Sequence, residues 1–128
     1  MDGTESEGGK GIILVVDDQP MILKLVQAML EGVGLDIVLA DHPGQAVDLA
    51  SKHRERIRLL ITDLHLGSMS GEDLAGKVLE HCPGLRVLVM SGDRSNDPQF
   101  AAAAHHDFIG KPFTPAELTR RVEALLAI

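Results

Sequence analysis

Leu59-Leu60-Ile61-Thr62-Asp63 is a short apolar run that ends on a carboxylate. Apolar and β-branched residues without alternation suit a strand buried on both faces of a parallel sheet. Such a strand delivers its last residue to the carboxyl edge of the sheet, where open α/β folds bind ligands. Asp63 is therefore placed for chemistry or for a cation, unless it only caps the following turn, as Asp commonly does. A second run, Ile12-Ile13-Leu14-Val15-Val16, ends the same way on Asp17-Asp18 and favours a shared acidic edge.

The rest of the chain alternates helix and strand signals around these two runs. Asp18-Gln19-Pro20 opens a helix whose apolar stripe is Ile22, Leu25, Val26, Met29 and Leu30, and Gly32 and Gly34 end it. Asp36 to Ala40 reads as a strand, and Pro43 to Lys52 as a helix carrying Ala46, Val47, Leu49 and Ala50. After the loop Leu64 to Gly71, Ser70 and Asp73 resemble a capping box, and Leu74, Ala75, Val78 and Leu79 give the next stripe until Pro83-Gly84 breaks it. Leu85 to Met90 is a fourth strand ending on Ser91-Gly92. A polar stretch from Asp93 to Asp97 precedes a weaker, Ala-rich helix over Pro98 to Ala104. Phe108-Ile109-Gly110 is a short fifth strand ending on Lys111-Pro112. Thr114-Pro115-Ala116-Glu117 starts the last helix, with the hydroxyl at the cap, Pro at the first position and Glu at the third, and Leu118, Val122, Leu125 and Leu126 form its stripe.

Five strands alternating with five helices predict an α/β fold with a doubly wound parallel sheet covered on both faces. One domain over residues 11–128 is the expectation for 128 residues, with the polar, Gly-rich residues 1–10 as an unstructured tail or an expression remnant. A composition of 45% hydrophobic and 24% charged residues argues against disorder. The tail lacks the apolar stretch of a signal peptide, no segment reaches the roughly 18 apolar residues of a membrane span, and Cys82 has no disulfide partner. A soluble, cytoplasmic protein is the resulting expectation. The net charge of −7 works against direct binding to nucleic acid, and with no Trp or Tyr there is no stacking platform for single strands.

The predicted carboxyl edge collects Asp17, Asp18, Asp63, Ser91 and Lys111. Three carboxylates in a partly desolvated cleft repel one another unless a proton or a cation is shared. Mg²⁺ fits best, with Mn²⁺ as a substitute, because it prefers oxygen ligands and takes one or two carboxylates together with phosphate oxygens. Thiolate and imidazole metals fit poorly, since Cys82 sits at the far end of a helix and His105-His106 lie outside the cluster. With the negative charge offset, one carboxylate can attack phosphorus and form an aspartyl phosphate, held by Lys111 as a point charge and Ser91 as a donor. Taken singly, each residue also has a plain structural reading: Asp17-Asp18 as a cap, Ser91 as a turn former, Lys111 as a solvated surface cation.

Val15-Val16-Asp17-Asp18, Asp63 with Met69 and Gly71 following, Val89-Met90-Ser91-Gly92 and Lys111-Pro112-Phe113 together resemble the receiver domain of two-component response regulators, over about residues 11 to 127. The resemblance implies a flavodoxin-like strand order 2-1-3-4-5 and phosphotransfer to Asp63 from a sensor histidine kinase or a histidine phosphotransfer protein. It assigns the metal to Asp17, Asp18, Asp63 and the backbone carbonyl of His65. The switch hydroxyl falls on Ser91, the aromatic switch position on Phe108 and the phosphoryl contact on Lys111. It also raises the expectation of a cis Lys111–Pro112 bond; a homodimer through the last two helices is a separate expectation that the resemblance does not supply. Such a domain is a signalling switch that assists its own phosphorylation and dephosphorylation, and its output is binding rather than turnover of a metabolite.

Three departures from the usual pattern stand out. Gly67 replaces a common Pro, Ala104-His105 replaces a common Gly-Ala, and the segment from Asp93 through the fourth helix is short and weakly apolar, which makes that helix the expected least ordered one. His65, two residues past the acceptor, is placed to tune dephosphorylation. Three rivals remain. A nucleotide- or flavin-binding protein on the same fold conflicts with Asp17-Asp18-Gln19-Pro20, which offers acids where a Gly-rich phosphate loop is needed. A phosphohydrolase with an aspartyl nucleophile usually carries a second acid two residues on, where this chain has His65. A pseudo-receiver acting only as a binding module would have no need of the acidic, hydroxyl and Lys positions, all of which are present.

Overall fold

The computed structural model describes residues 11–92 and 105–128. β1 (Ile12–Val16), β2 (Asp36–Ala40), β3 (Ile57–Asp63), β4 (Arg86–Ser91) and β5 (His106–Gly110) form one sheet in the order β2-β1-β3-β4-β5, with every pairing parallel. The central strand is longer than its apolar run suggests, starting at Ile57 rather than Leu59, and β5 starts at His106 rather than Phe108. Backbone pairing carries both strands past their apolar residues: Ile57 pairs with Ile12, and His106 with Val87.

Alternation along each strand divides the core in two. Leu14, Val16, Leu60, Val87 and Val89 face one side, where Ala46 and Ala50 of α2 (Pro43–Lys52) and Leu74, Ala75 and Val78 of α3 (Gly71–His81) cover them. Ile13, Val15, Leu59, Ile61, Leu88 and Met90 face the other, beneath Leu23 and Val26 of α1 (Pro20–Met29) and Leu118, Val122 and Leu125 of α4 (Pro115–Leu126). A sheet apolar on both faces needs helices on both faces, which the crossover connections supply.

Four α-helices lie among the described residues rather than five; the helix expected over Pro98 to Ala104, and its expected lack of order, fall outside them, as do residues 1–10. The stripe of α1 also differs from expectation. Leu25 is 47% exposed, whereas Leu23, Val26 and Leu30 are buried, with Ile22 and Met29 at the margin. Met21 to Val26 offers more apolar residues than one helix face can bury, so two overlapping stripes satisfy the same spacing and only docking on the sheet selects between them. A 3₁₀ turn over Glu31–Val33 follows α1, and Gly34 closes it at φ 94°.

Three helix starts are capped by side chains. Ser70 Oγ accepts from Asp73 N at 3.0 Å, and Thr114 and Glu117 complete a reciprocal capping box. His42 caps α2 through Nδ1, which accepts from Gln45 N at 3.1 Å, a role its residue type does not advertise.

Candidate functional site

The strand order places the ends of β1, β3, β4 and β5 side by side, and the polar residues collect there. Asp17 follows β1 directly and is fully buried, while Asp18 beside it is exposed. Asp17 N donates to Ala40 O at 3.2 Å, and its Oδ1 accepts from Gln19 N at 2.9 Å. That bond is a local turn contact and not a helix cap: the N-cap of α1 is Gln19, and no side chain caps that helix. The other carboxylate oxygen of Asp17, Oδ2, faces the amine of Lys111 at 3.4 Å.

Asp63 closes β3 in register with Met90, its side chain 15% exposed, and its Oδ1 lies 2.8 Å from Lys111 Nζ. Lys111 reaches this point because β5 ends at Gly110 and its own N–H donates to Ser91 O at 2.7 Å, extending the β4–β5 ladder by one residue. The Lys111–Pro112 bond is cis. One oxygen from each of Asp17, Asp18 and Asp63 lies within 4.8 Å of the others. Lys111 is therefore no solvated surface cation, and the three acids do converge.

The electrostatics follow from this packing. Burial pushes the Asp17 carboxyl above the usual range; the Gln19 N–H and Lys111 pull it back, while the Asp63 charge adds to the rise. Burial works against the Lys111 ammonium, yet the hydrogen bond to Asp63 and the charges of Asp17 and Asp63 outweigh it and hold the amine above its ordinary value. Burial disfavours charge on both partners, which raises the acid and opposes the amine; the amine is raised nonetheless because two acids answer it, whereas the acids share one Lys.

Three carboxylates against one ammonium leave an excess of negative charge in a partly buried cleft. All the donors are hard oxygens, and among the described residues no thiol or imidazole belongs to the cluster. Cys82 is buried elsewhere, with Sγ 3.9 Å from Ala50 O. The donor set therefore fits a hard divalent cation. Ser91 is buried at the end of β4, and Phe108 is buried in β5, in the same apolar cluster as Val87 and Val89. His65 is exposed on the loop leaving β3, where it forms an antiparallel bridge with Ser70.

Two residues at this edge were not singled out for a role by their sequence signal. Thr62 is fully buried and donates its hydroxyl to Asp63 O at 3.0 Å, and Gly71 packs against that same carbonyl. A buried Thr one position before a strand-terminal acid is the only trace of the first, since strands are rich in Thr.

The chain belongs to the response regulator receiver domain family, whose model matches residues 13–123. The fold and the acidic carboxyl edge stand within that match. Among its relatives, the probable transcriptional regulatory protein TcrX of Mycobacterium tuberculosis is 32% identical over 123 residues, covering 94% of this chain and 52% of TcrX. The transcriptional regulatory protein SrrA of Staphylococcus aureus is 35% identical over 115 residues, covering 89% of this chain and 47% of SrrA. The chain thus spans about half the length of these two regulators. The crystal structure of a CheY-like response regulator receiver domain protein from Methanospirillum hungatei superposes with a TM-score of 0.81 at 26% identity, over 93% of this chain and 95% of that one. The family is one of signalling switches in two-component systems. No helix among the described residues is long and apolar enough to cross a membrane.

Proposed function

We propose that Asp63 is the phosphoacceptor of a two-component switch, with a sensor histidine kinase or a histidine phosphotransfer protein as donor. The observation that carries the reading is Lys111 Nζ at 2.8 Å from Asp63 Oδ1, with the carboxylates of Asp17 and Asp18 gathered at the same point. The carboxylates of Asp17, Asp18 and Asp63 and the backbone carbonyl of His65 would hold Mg²⁺, or Mn²⁺ in its place. When bound, the ion offsets the negative charge of the cleft and of the incoming phosphoryl oxygens.

Asp63 attacks phosphorus: the P–N bond of a donor phosphohistidine breaks as the bond from a carboxylate oxygen to phosphorus forms, and the electron pair returns to the donor imidazole. Lys111 turns from the carboxylate to the phosphoryl oxygens, for which its preserved positive charge suits it. The Ser91 hydroxyl bonds the same oxygens, and Phe108 shifts within its apolar cluster, changing the surface around β5 and α4. His65, exposed beside Asp63, tunes the access of water in the reverse reaction, and a homodimer through the last helices is one form the output takes.

The test is incubation with acetyl phosphate or beryllofluoride, with and without Mg²⁺, for the wild type and Asp63→Asn, read by intact mass and NMR. A phosphoryl adduct that needs both Mg²⁺ and Asp63 supports the reading. Steady turnover of a generic phosphate ester would favour an aspartyl phosphohydrolase, and no Mg²⁺-dependent adduct at all would leave a binding module.

A further inference from the structure

We infer that Gly71 and Thr62 are positioning residues for Asp63: the absent side chain of one and the hydroxyl of the other fix the main chain that carries the acceptor carboxylate and the His65 carbonyl. This rests on the phosphoacceptor reading of Asp63. A Cβ on Gly71 would lie 2.2 Å from Asp63 O, 3.1 Å from Asp63 C and 3.0 Å from Thr62 Cγ2. The principal obstacle is backbone, so no rotamer change relieves it.

The surrounding hydrogen bonds decide what gives way. Gly71 N donates to Leu64 O at 2.7 Å, Leu64 N donates to Met90 O at 2.9 Å, and His65 bridges Ser70. The start of α3 and the exit of β3 are therefore tied together, and a Cβ between them displaces residues 63–65. Thr62 is fully buried and spends its hydroxyl on Asp63 O at 3.0 Å, so that carbonyl is held by a donor while Gly71 lies against it. Gly71 opens α3 without a positive φ, and Ala is the better helix former, so local propensity alone predicts that Gly71→Ala is harmless. The packing predicts the opposite.

The test compares the wild type, Gly71→Ala and Thr62→Val in three measurements: thermal midpoint, Mg²⁺ dissociation constant from NMR titration, and rate of adduct formation with acetyl phosphate. Gly71→Ala is expected to weaken Mg²⁺ binding and slow adduct formation by about tenfold, as substitutions behind metal ligands commonly do. A change in both below roughly threefold, even with a lowered midpoint, would show a purely structural Gly and overturn the inference. Where Gly71→Ala does not melt cooperatively, Thr62→Val decides, because it keeps the buried shape. A loss of Mg²⁺ affinity of roughly threefold or more sustains the inference and wild-type affinity overturns it. A wild type that forms no Mg²⁺-dependent adduct overturns the parent reading and this one with it, whereas a reactive wild type with equally reactive variants overturns this one alone.

Discussion

Lys111 Nζ lies 2.8 Å from Asp63 Oδ1, and the same amine lies 3.4 Å from Asp17 Oδ2, so one cation spans two acids delivered by different strands. The Asp17 side chain is 1% exposed, that of Asp63 15% and that of Lys111 24%, and removing the amine leaves two screened but unanswered charges facing each other. Lys111→Met is expected to cost about 2 kcal/mol at neutral pH, less than a fully buried broken pair because water still reaches the lysine. Urea denaturation without divalent cations measures it. Added Mg²⁺ should recover part of the loss by supplying the missing positive charge.

Asp17→Asn is expected to stabilise the cation-free protein at neutral pH. Burial raises the folded-state pKa of Asp17 above its unfolded value. A raised carboxyl contributes stability that is fully present below the unfolded pKa and lost as pH rises through the folded one, so the ionised wild type carries a penalty that the amide escapes. The advantage of Asn therefore opens from about pH 4 upward and closes below it. Melting curves across that range check the sign, and Mg²⁺ should raise the midpoint of the wild type more than that of Asp17→Asn.

His105 adopts φ 72° while its carbonyl accepts from Val87 N at 2.9 Å, so a left-handed residue is built into the entry to β5. The left-handed region costs a non-Gly residue about 1–2 kcal/mol, and Gly gives back up to about 1 kcal/mol through the entropy of the unfolded chain. His105→Gly should therefore gain roughly 0.5 kcal/mol in urea denaturation. A loss of stability would show that the His side chain contributes more than the strain it imposes.

Thr114 Oγ1 accepts from Glu117 N at 3.1 Å, and Glu117 Oε1 accepts from Thr114 N at 3.0 Å. Thr114→Ala should cost about 1 kcal/mol as a lost N-cap. The bond from the Thr114 N–H, followed by that from its side chain, holds the Glu117 carboxyl below its ordinary value. A depressed carboxyl stabilises above its unfolded pKa and loses that contribution as pH falls through the folded one, so the capping box should weaken in acid. Helix content of wild type and variant compared across the acid range measures this.

Much of the architecture was legible because its signals are local. Unbroken apolar runs such as Ile12 to Val16 mark strands buried on both faces, and Thr114 to Glu117 marks a helix start with every capping group in place. The site was legible because its acids close apolar runs, and a run of strand length has only one carboxyl end. What escaped depends on facts with no local signature. Leu25 and Leu23 are equally apolar, and the docking angle of α1 alone decides which is covered. Arg121 meets Asp107 at 3.1 Å from fourteen residues away, and neither residue type foretells the pairing. Gly71 reads as the end of a loop and as part of a family motif, while its closeness to the Asp63 carbonyl exists only in three dimensions.

Asp17 and Lys111 stand 94 positions apart in the chain, yet they meet at one point. A polypeptide emerging during synthesis therefore assembles its acids long before their counter-charge arrives, because β5 pairs last in chain order at the outer flank of the sheet. Until that closing strand docks, the carboxylates stand without their amine, and an incomplete molecule lacks the set of groups on which signalling would depend. On the phosphoacceptor reading, competence for phosphoryl uptake would therefore also report that the whole domain has finished folding.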